Sequence, residues 1–424
     1  CVVMGSGDRQ VFLFMQGPIS LFFRELATAL EQRGHRVLRV NVCMGDVLFW
    51  RRPGGVSYRG TPERWEQFIT ALMMREGVTD LVLLGEQRYY QKMAVAAARQ
   101  LGVAVTVTDF GYLRPDWITL EPDGMSGQSR FPRDMPAVRA LANRFVPPET
   151  AVRYANSLRL QVAWGTLFHL SNVLLNPLCF PHYRDYQLQH PVPAYLGTGV
   201  RLLLRRHRGR RANALVARLS DERIPYFVLP MQLEGDFQLR AYSSYPDMLA
   251  PIRQTIRSMA AHAAKDAHLV IKVHPFDPGL RAWRSLVMKE AAGAGVEGRV
   301  HFIDGGDLDL MLSKSRGVVT VNSTAGIVGL RLLRPVITLG QAIFNVDGLT
   351  FQGGLDRFWT EAPAPDAQDV ADFISALANT TQLRGVFCSR PGLDAAVEAA
   401  ARRLDAASGE CLAASWDEWR RQDG

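Results

Sequence analysis

The chain has 424 residues, of which 47% are hydrophobic, and carries a formal net charge of +8. This length exceeds that of an ordinary single domain, and the apolar content suffices for two compact cores, so two domains are expected. Five cysteines without Cys-x-x-Cys spacing argue against a disulfide framework and a zinc site, and they favour a reducing compartment. No uncharged apolar run reaches the roughly 18 residues of a membrane-spanning helix, and no signal sequence is recognised, so a cytoplasmic, soluble or peripheral protein is expected.

The first part of the chain alternates between apolar strands and amphipathic helices. Strand patterns occur at 11–15, 36–42, 80–85 and 103–107. Helical patterns lie between them, including one near 62–76 and one that ends at Gln100. Such alternation predicts a parallel sheet covered by helices on both faces. Residues 136–212 break this rhythm with helical, aromatic-rich and proline-rich patterns, which we interpret as an insertion plus linker.

A second alternation begins with the strand pattern at 224–230. We expect a long helix from there to about residue 266, and a helix that ends at Leu333. Further strands are expected to begin at residues 268, 299, 317 and 335. The last part, 366–421, has a helical pattern and is expected to pack back on the first domain.

The predicted fold class is α/β and GT-B-like, with two Rossmann-like doubly wound domains that face a cleft. A helical insertion and C-terminal helices complete this architecture. The predicted divisions of the chain are 1–135, 136–215, 216–390 and 391–424. They correspond to the N-terminal Rossmann-like domain, the helical insertion with a basic linker, the C-terminal Rossmann-like domain and the C-terminal helices.

The positive charge is concentrated at 201–211, which contains six arginines. Nucleic acid is disfavoured as a partner because the segment lacks interleaved aromatic residues and no recognised binding motif accompanies it. Two interpretations remain open. The segment either contacts anionic lipid headgroups or forms a solvated linker between the domains.

Two polar segments follow predicted strands of the second domain. His274-Pro275 ends the strand that begins at residue 268, and the proline forces the chain to turn at the carboxyl edge of the sheet. Asn322-Ser323-Thr324 follows the strand that begins at residue 317, and Gly326 lies in the first turn of the next helix. The imidazole, a hydroxyl cap and free amide groups at the helix start predict one shared phosphate site. Taken singly, each motif is better explained as an ordinary turn or cap, and only their combination favours a shared phosphate site.

Corresponding segments supply the candidate catalytic and sugar-binding groups. In the first domain these are Gln16, Gly17 and Ser20 after the first strand, and Asp109 and Arg114 after the fourth. In the second domain the stretch 229–248 places Gln232, Glu234, Asp236 and Arg240 after its first strand. Carboxylates at the edge of a cleft are candidate nucleophiles and acid/base groups, although such stretches are also common as loops.

Several of these stretches together resemble the KpsS/LipB-type capsule polysaccharide biosynthesis and export proteins, which are retaining β-Kdo glycosyltransferases. The resemblance covers nearly the whole chain and is carried by MQGPIS, GYLRPDWITLE, PMQLEGDFQLRAYS, KVHP and VNSTAGIVGLRLLRPVITLGQAIFNVDGLT. One departure is Phe110, where some members carry a second acid.

The resemblance implies transfer of Kdo from CMP-β-Kdo, with retention, to a lyso-phosphatidylglycerol acceptor, which starts a poly-Kdo linker. The N-terminal domain would then take the acceptor and the C-terminal domain the CMP-sugar. The phosphate is expected between His274 and the helix start at Ser323 and Thr324, with Asp109 as acid/base. Retention favours a carboxylate nucleophile, for which we choose Asp236, with Glu234 as the reserve. No cofactor or metal is expected, because His274, the helix end and Arg114 or Arg240 can balance the charge of CMP.

The partners implied are the anionic inner-membrane surface, a companion transferase that extends the poly-Kdo chain, and the capsule export machinery. The expected location is therefore cytoplasmic and peripheral at the inner membrane. Two other functions remain open. One is a two-domain nucleotide-sugar epimerase that uses UDP-sugars, and the other is a non-catalytic carbohydrate-binding export adaptor.

Overall fold

A computed structural model describes residues 9–185 and 191–405. The strands are β1 (Val11–Phe14), β2 (Arg36–Asn41), β3 (Gly55–Ser57), β4 (Asp80–Leu84), β5 (Ala104–Phe110), β6 (Trp117–Pro122), β7 (Tyr226–Pro230), β8 (His268–Lys272), β9 (Val300–Ile303), β10 (Gly317–Thr320), β11 (Val336–Thr338) and β12 (Gln382–Arg384).

The helices lie mainly between consecutive strands. They are α1 (Phe22–Gln32), α2 (Met44–Trp50), α3 (Trp65–Glu76), α4 (Tyr89–Gln100), α5 (Met135–Ala142), α6 (Leu158–Cys179), α7 (Pro191–Asp221), α8 (Phe237–Ala241), α9 (Leu249–His262), α10 (Trp283–Gly293), α11 (Leu308–Ser313), α12 (Ala325–Arg331), α13 (Leu355–Glu361), α14 (Ala367–Thr380) and α15 (Gly392–Leu404). Within the described residues, no helix combines the length and hydropathy required to cross a bilayer.

The chain forms two units, each built from more than one segment. Among the described residues, unit 1 comprises 9–130, 147–185 and 377–405, and unit 2 comprises 131–146 and 191–376. These limits differ from the predicted divisions, since part of the predicted insertion, including α6, belongs to unit 1. The C-terminal segment returns to unit 1 at residue 377, before the predicted division at 391, because β12 pairs with β6; the predicted helices beyond residue 405 lie outside the described residues. Hydrophobic periodicity predicts helices and strands, but it does not predict where the chain passes from one unit to the other.

The sheet of unit 1 has the strand order β12-β6-β5-β4-β1-β2-β3. Strands β1 to β5 run parallel to one another, whereas β6 pairs antiparallel with both of its neighbours, β5 and β12. Residues of β1 alternate between its two faces. Leu13 packs in one apolar core, while Phe12 and Phe14 pack in the other. Both faces are therefore covered, as the alternation of strands and helices predicts.

The sheet of unit 2 has the order β11-β10-β7-β8-β9, and all its neighbouring strands are parallel. In this doubly wound order the chain reverses direction across the sheet between β7 and β10. Ligands of such sheets bind at this reversal, outside the carboxyl ends of the strands. The predicted α/β class with two Rossmann-like units is confirmed, and this is the unit composition of a GT-B fold.

Three local predictions are wrong. The stretch from Asp109 to Glu121 is a hairpin of β5 and β6 rather than a loop after a strand, and Asp109 lies within β5, opposite Thr119. The long helix expected to reach residue 266 is divided into α8 and α9 by the segment 242–248. The short strands β3 and β12 were not predicted, because three residues carry too little periodicity to be recognised.

The basic segment 201–211 is part of α7 rather than a linker. The guanidinium group of Arg201 forms ion pairs of 2.9 Å with Asp277 and 2.5 Å with Asp304, and Arg208 forms one of 2.5 Å with Asp304. The side chains of 202–206, which include two of the predicted lipid-binding arginines, lie outside the described residues. At least two arginines of this segment, Arg201 and Arg208, therefore bind α7 to other residues of unit 2.

Candidate functional site

Three strand ends of unit 2 form the first candidate site. The neighbouring strands β10, β7 and β8 are followed by Asn322, Gln232 and His274, respectively. The carboxyl ends of parallel strands lie at one edge, so these residues share the edge at which the strand order reverses. Sequence analysis predicted all three of these positions.

Gln232 and Asn322 join the two strands at the reversal point. The Gln232 amide nitrogen donates to Asn322 Oδ1 at 2.6 Å, and the Asn322 backbone N–H donates to Gln232 Oε1 at 3.1 Å. Both residues are buried. This reciprocal pair fixes the separation of the two strand ends, so Gln232 has a positioning role in addition to the predicted role in sugar binding.

His274 has a defined tautomer when its imidazole is neutral. Its Nδ1 accepts a hydrogen bond of 3.1 Å from the backbone N–H of Phe276, so the proton of a neutral ring resides on Nε2. The ring is partly exposed, and its centroid lies 5.9 Å from that of Phe276. An Nε2–H donor is suited to a phosphate oxygen, which is the predicted role of this residue.

The start of α12 differs from the prediction. Thr324 occupies the N-cap position without a side-chain capping bond, whereas Ser323 Oγ accepts from the Ala325 N–H at 3.3 Å. The next two amides, of Gly326 and Ile327, donate to the carbonyl oxygens of Ser323 and Thr324 at 2.9 and 3.0 Å. The expected row of unbonded amide groups is therefore absent at these positions. The hydroxyl groups of Ser323 and Thr324 remain the candidate donors.

Gly326 is required by packing. A Cβ atom at this position would lie 2.4 Å from the Phe344 ring, closer than real Cβ contacts. The glycine therefore lets α12 approach Phe344. This differs from the expected role at a phosphate.

The two candidate nucleophiles have different surroundings. Glu234 forms an ion pair with Arg281, which also bonds Asp247 at 3.0 Å and lies over the Trp283 ring at 4.5 Å. Asp236 directly precedes α8, and its backbone carbonyl accepts from the Arg240 N–H at 3.2 Å. Both acids are partly exposed. The carboxylate of Glu234 is bound by the guanidinium group of Arg281, and the choice of Asp236 as the nucleophile stays a prediction.

A second cluster lies at the carboxyl ends of β1, β4 and β5, which are neighbours in the sheet of unit 1. Gln16 follows β1 and accepts a hydrogen bond of 3.2 Å from Arg88, which lies at the start of α4. Asp109 is the next-to-last residue of β5, and its Oδ1 accepts from the Phe110 N–H at 2.7 Å. Arg114 lies over the Phe110 ring at 5.8 Å.

Glu86, which follows β4, is the residue that sequence analysis missed. It is 2% exposed, and burial, together with the negative charge of Asp109, raises its pKa to about 7. Burial also raises the pKa of Asp109, against the opposing influence of Arg88 and Arg114. A carboxyl group that gains and loses its proton near neutrality is suited to general acid/base chemistry. Its position in the sequence could have indicated Glu86, because it follows a buried strand, as the predicted site residues also do.

Packing and local hydrogen bonding largely explain the residue types found at positions Gln16, Gly17 and Ser20. A Cβ atom at Gly17 would lie 2.2 Å from the Phe23 ring, and Ser20 Oγ accepts from the Phe22 N–H at 3.2 Å at the start of α1. Gln16 and Ser20 are both buried. Their predicted contact with the acceptor or sugar stays a prediction.

One Asp-x-Asp sequence occurs, at Asp307-Leu308-Asp309. The Asp307 side chain accepts from the Leu310 N–H at 3.2 Å and so caps α11. In residues 9–185 and 191–405 there is no group of three or more His, Cys, Asp or Glu side chains arranged to hold a metal ion.

Comparison with known proteins gives matches over most of the chain. The family model described as "Capsule polysaccharide biosynthesis protein" matches residues 79–388. Capsule polysaccharide export protein KpsS of Escherichia coli is 29% identical over 391 residues, which cover 91% of this chain and 98% of that protein. Capsule polysaccharide modification protein LipB of Neisseria meningitidis serogroup B is 27% identical over 390 residues, covering 89% and 91%.

Among solved structures, the chain is similar to the β-Kdo 2,7 transferase of KpsC from Thermosulfurimonas dismutans. The identity is 14%, the match covers 93% of this chain and 100% of that chain, and the TM-score is 0.46.

Proposed function

Because the chain belongs to the family of capsule polysaccharide biosynthesis proteins, we propose that it is a glycosyltransferase that transfers Kdo from CMP-β-Kdo to a lipid. The proposed acceptor is lyso-phosphatidylglycerol, and the product is the first residue of a poly-Kdo linker. The observation that carries the proposal is the convergence of Gln232, His274 and Asn322 on the edge where the unit 2 strand order reverses.

The proposed donor contacts follow from this geometry. His274 Nε2–H and the hydroxyl groups of Ser323 and Thr324 bind the phosphate that links cytidine to Kdo. Donation from the imidazole offsets the negative charge that develops on the phosphate as the glycosidic bond breaks. Arg240, at the end of α8, supplies further positive charge without a metal ion.

Retention is proposed to proceed through two displacements. Asp236 attacks the anomeric carbon, the bond to the CMP oxygen breaks, and CMP leaves with the bonding electron pair. A hydroxyl group of the acceptor then attacks the same carbon from the opposite side and displaces the carboxylate. Asp109, with Glu86 as its neighbour, takes the hydroxyl proton. The protein is proposed to act in the cytoplasm at the inner membrane, beside a companion transferase that extends the linker and the export machinery.

Thermal unfolding in the presence of nucleotides tests the proposed donor class. CMP is expected to raise the Tm, since a ligand at 100 times its Kd stabilises the folded state by about 2.7 kcal/mol, whereas UDP is expected to leave the Tm unchanged. The His274→Ala variant should lose most of the CMP effect. The Arg210→Ala variant, which alters an exposed residue of α7, serves as control. A shift with UDP alone would favour the epimerase, and no shift with either nucleotide would contradict the proposed site.

A further inference from the structure

Helix α6 has an unusual distribution of polarity. Its outward side carries large apolar residues, exposed by 41 to 83%: Val162, Leu167, Leu170, Val173, Leu174 and Leu178. At 3.6 residues per turn, these positions lie within about half of the helix circumference. Scattered exposed leucines are normal on a protein surface, but a continuous apolar stripe marks an interaction site.

The side of α6 that faces the protein carries polar residues in addition to aromatic ones. Asn172 Oδ1 accepts from the Gly45 N–H at 2.7 Å, and Asn176 Oδ1 accepts from the Met44 N–H at 2.8 Å. These bonds satisfy amide groups at the start of α2, which has no side-chain cap of its own. An ordinary surface helix exposes its polar residues, whereas α6 turns two asparagines inward and leaves a stripe of leucines and valines exposed.

Close packing holds α6 in this orientation. The Phe168 ring lies against α2 so tightly that a Cβ atom at Gly45 would lie 2.3 Å from it. Phe49 contacts the rings of both Trp164 and Phe168, with centroid separations of 5.4 and 6.1 Å. The helix cannot rotate to bury its leucines without losing these contacts and the two asparagine bonds.

The outward face also has the charge expected of a surface that meets anionic headgroups. The sequence of α6 contains no acidic residue, and its charged residue Arg159 lies near the N-terminus and is exposed. On the helix circumference, Arg159 falls within the same half as the apolar stripe. The hydroxyl group of Thr166, also on this face, donates to the Val162 carbonyl at 2.8 Å, so its polarity is satisfied within the helix.

The size of the face decides between a membrane and a second copy of the chain. A helix of 22 residues is about 33 Å long and about 10 Å wide, so its outward face covers about 330 Å². A standard protein interface buries about 800 Å² on each partner, which is more than twice this area. A bilayer needs no such complementary surface, because each apolar side chain gains by entering the acyl region.

We propose that α6 lies in the plane of a phospholipid bilayer, with its stripe of leucines and valines inserted among the acyl chains and Arg159 at the headgroups. This assigns the membrane contact to unit 1 and to a helix other than the basic segment of α7. The inference is independent of the proposed donor and acceptor, because vesicle binding is measured without either.

Flotation with vesicles of phosphatidylethanolamine and phosphatidylglycerol tests the proposal. The unmodified protein should float with the vesicles, and a variant combining Leu170→Gln, Leu174→Gln and Leu178→Gln should bind at least about tenfold more weakly. The control is Met74→Gln, which removes an equally exposed apolar side chain on α3 of the same unit and should bind normally. In a Leu178→Trp variant, the fluorescence emission should shift to shorter wavelength on addition of vesicles.

Circular dichroism melting establishes that the triple variant is folded, which is expected because the altered side chains are exposed. If it does not fold, the comparison is made with Leu178→Gln alone. Three results would overturn the proposal: failure of the unmodified protein to float, equal binding of the folded variant, and loss in that variant of a dimer present without lipid. The last result would assign the face to a second copy of the chain.

Discussion

At the scale of single residues, Glu86 and Asp109 show how a sheet edge changes the chemistry of an ordinary side chain. The carboxyl groups lie at the ends of the adjacent strands β4 and β5, where burial and, to a lesser extent, the negative charge of Asp109 oppose ionisation of Glu86. Burial raises the pKa of Asp109 as well, although the backbone N–H of Phe110 and the charges of Arg88 and Arg114 oppose this rise. Both carboxyl groups therefore hold a proton more readily than an ordinary exposed carboxyl group.

The Glu86 carboxyl group should make stability depend on pH. Its pKa rises from 4.5 to about 7 on folding, so the folded state binds more protons than the unfolded state between these values. The free energy of unfolding should therefore fall as the pH rises through this window. Glu86→Gln removes this dependence, and relative to the unmodified protein it should gain up to about 3 kcal/mol between pH 4.5 and pH 8.

Urea unfolding at both pH values measures this effect. Glu66→Gln on the exposed side of α3 is the matched control and should retain the pH dependence of the unmodified protein. If Glu86→Gln shows the same pH dependence as the control, Glu86 does not titrate in this range.

Substitution of the two candidate nucleophiles should have different effects on Kdo transfer and on stability. Asp236→Asn should abolish Kdo transfer, because the reacting carboxylate is lost. Glu234→Gln should retain measurable transfer but lose about 0.5 to 1 kcal/mol of stability, since its partly exposed ion pair with Arg281 is weakened. Transfer rates and unfolding curves of both variants decide the assignment, and the opposite pattern would make Glu234 the nucleophile.

At the scale of elements, α7 illustrates how a basic segment can serve the fold. Asp304 bonds Arg201 and Arg208, which are seven positions apart and so lie on the same side of the helix. The neighbouring Gly305 and Gly306 have φ of +92° and +80° and allow the chain to approach α7 closely. The charge of this segment is therefore partly neutralised within unit 2.

Asp304→Ala should detach α7 from this loop. The loss of two ion pairs is expected to lower the free energy of unfolding by about 1 to 3 kcal/mol and to expose α7 to limited proteolysis. Asp309→Ala removes the same charge from an exposed position on α11 and should have little effect on either measurement. Equal stability and equal cleavage of the two variants would show that the Asp304 ion pairs do not hold the helix.

The sequence predicted the strands and helices that have a clear hydrophobic pattern. It did not predict the elements that are defined by their pairing with another part of the chain. The strands that precede Gln16, Gln232, His274 and Asn322 are apolar runs and were recognised, which is why their positions at sheet edges were predicted. The hairpin partner β6 was not recognised, because its pairing with β5 is antiparallel and the intervening turn needs Gly111. A Cβ atom there would lie 2.3 Å from the Trp117 carbonyl oxygen.

The candidate site was predicted in position but not in detail. Strand ends can be located by periodicity, whereas the bond between Gln232 and Asn322 depends on which strands become neighbours. The same holds for Gly17 and Gly326, whose need for glycine arises from the rings of Phe23 and Phe344. The orientation of α6 also could not be deduced, because its asparagines bond backbone groups more than 120 positions away.

At the scale of the whole molecule, two doubly wound units each carry a polar edge, and these edges have different chemistry. The edge in unit 2 offers donors suited to a phosphate, namely the imidazole of His274 and the hydroxyl groups of Ser323 and Thr324. The edge in unit 1 offers the coupled carboxyl groups of Glu86 and Asp109. The proposed function accordingly assigns donor binding to unit 2 and proton transfer to unit 1.

Transfer of Kdo to lipid is the most direct test of the proposed function. The purified protein is incubated with synthetic lyso-phosphatidylglycerol and with CMP-Kdo that is generated in the same reaction, and the lipid and the protein are then analysed by mass spectrometry. The expected products are a lipid that has gained one Kdo residue and, in a trapped reaction, a Kdo adduct on the peptide that contains Asp236. Absence of any Kdo-modified lipid, despite protection of the fold by CMP, would contradict the proposed transfer and favour a binding protein without catalytic activity.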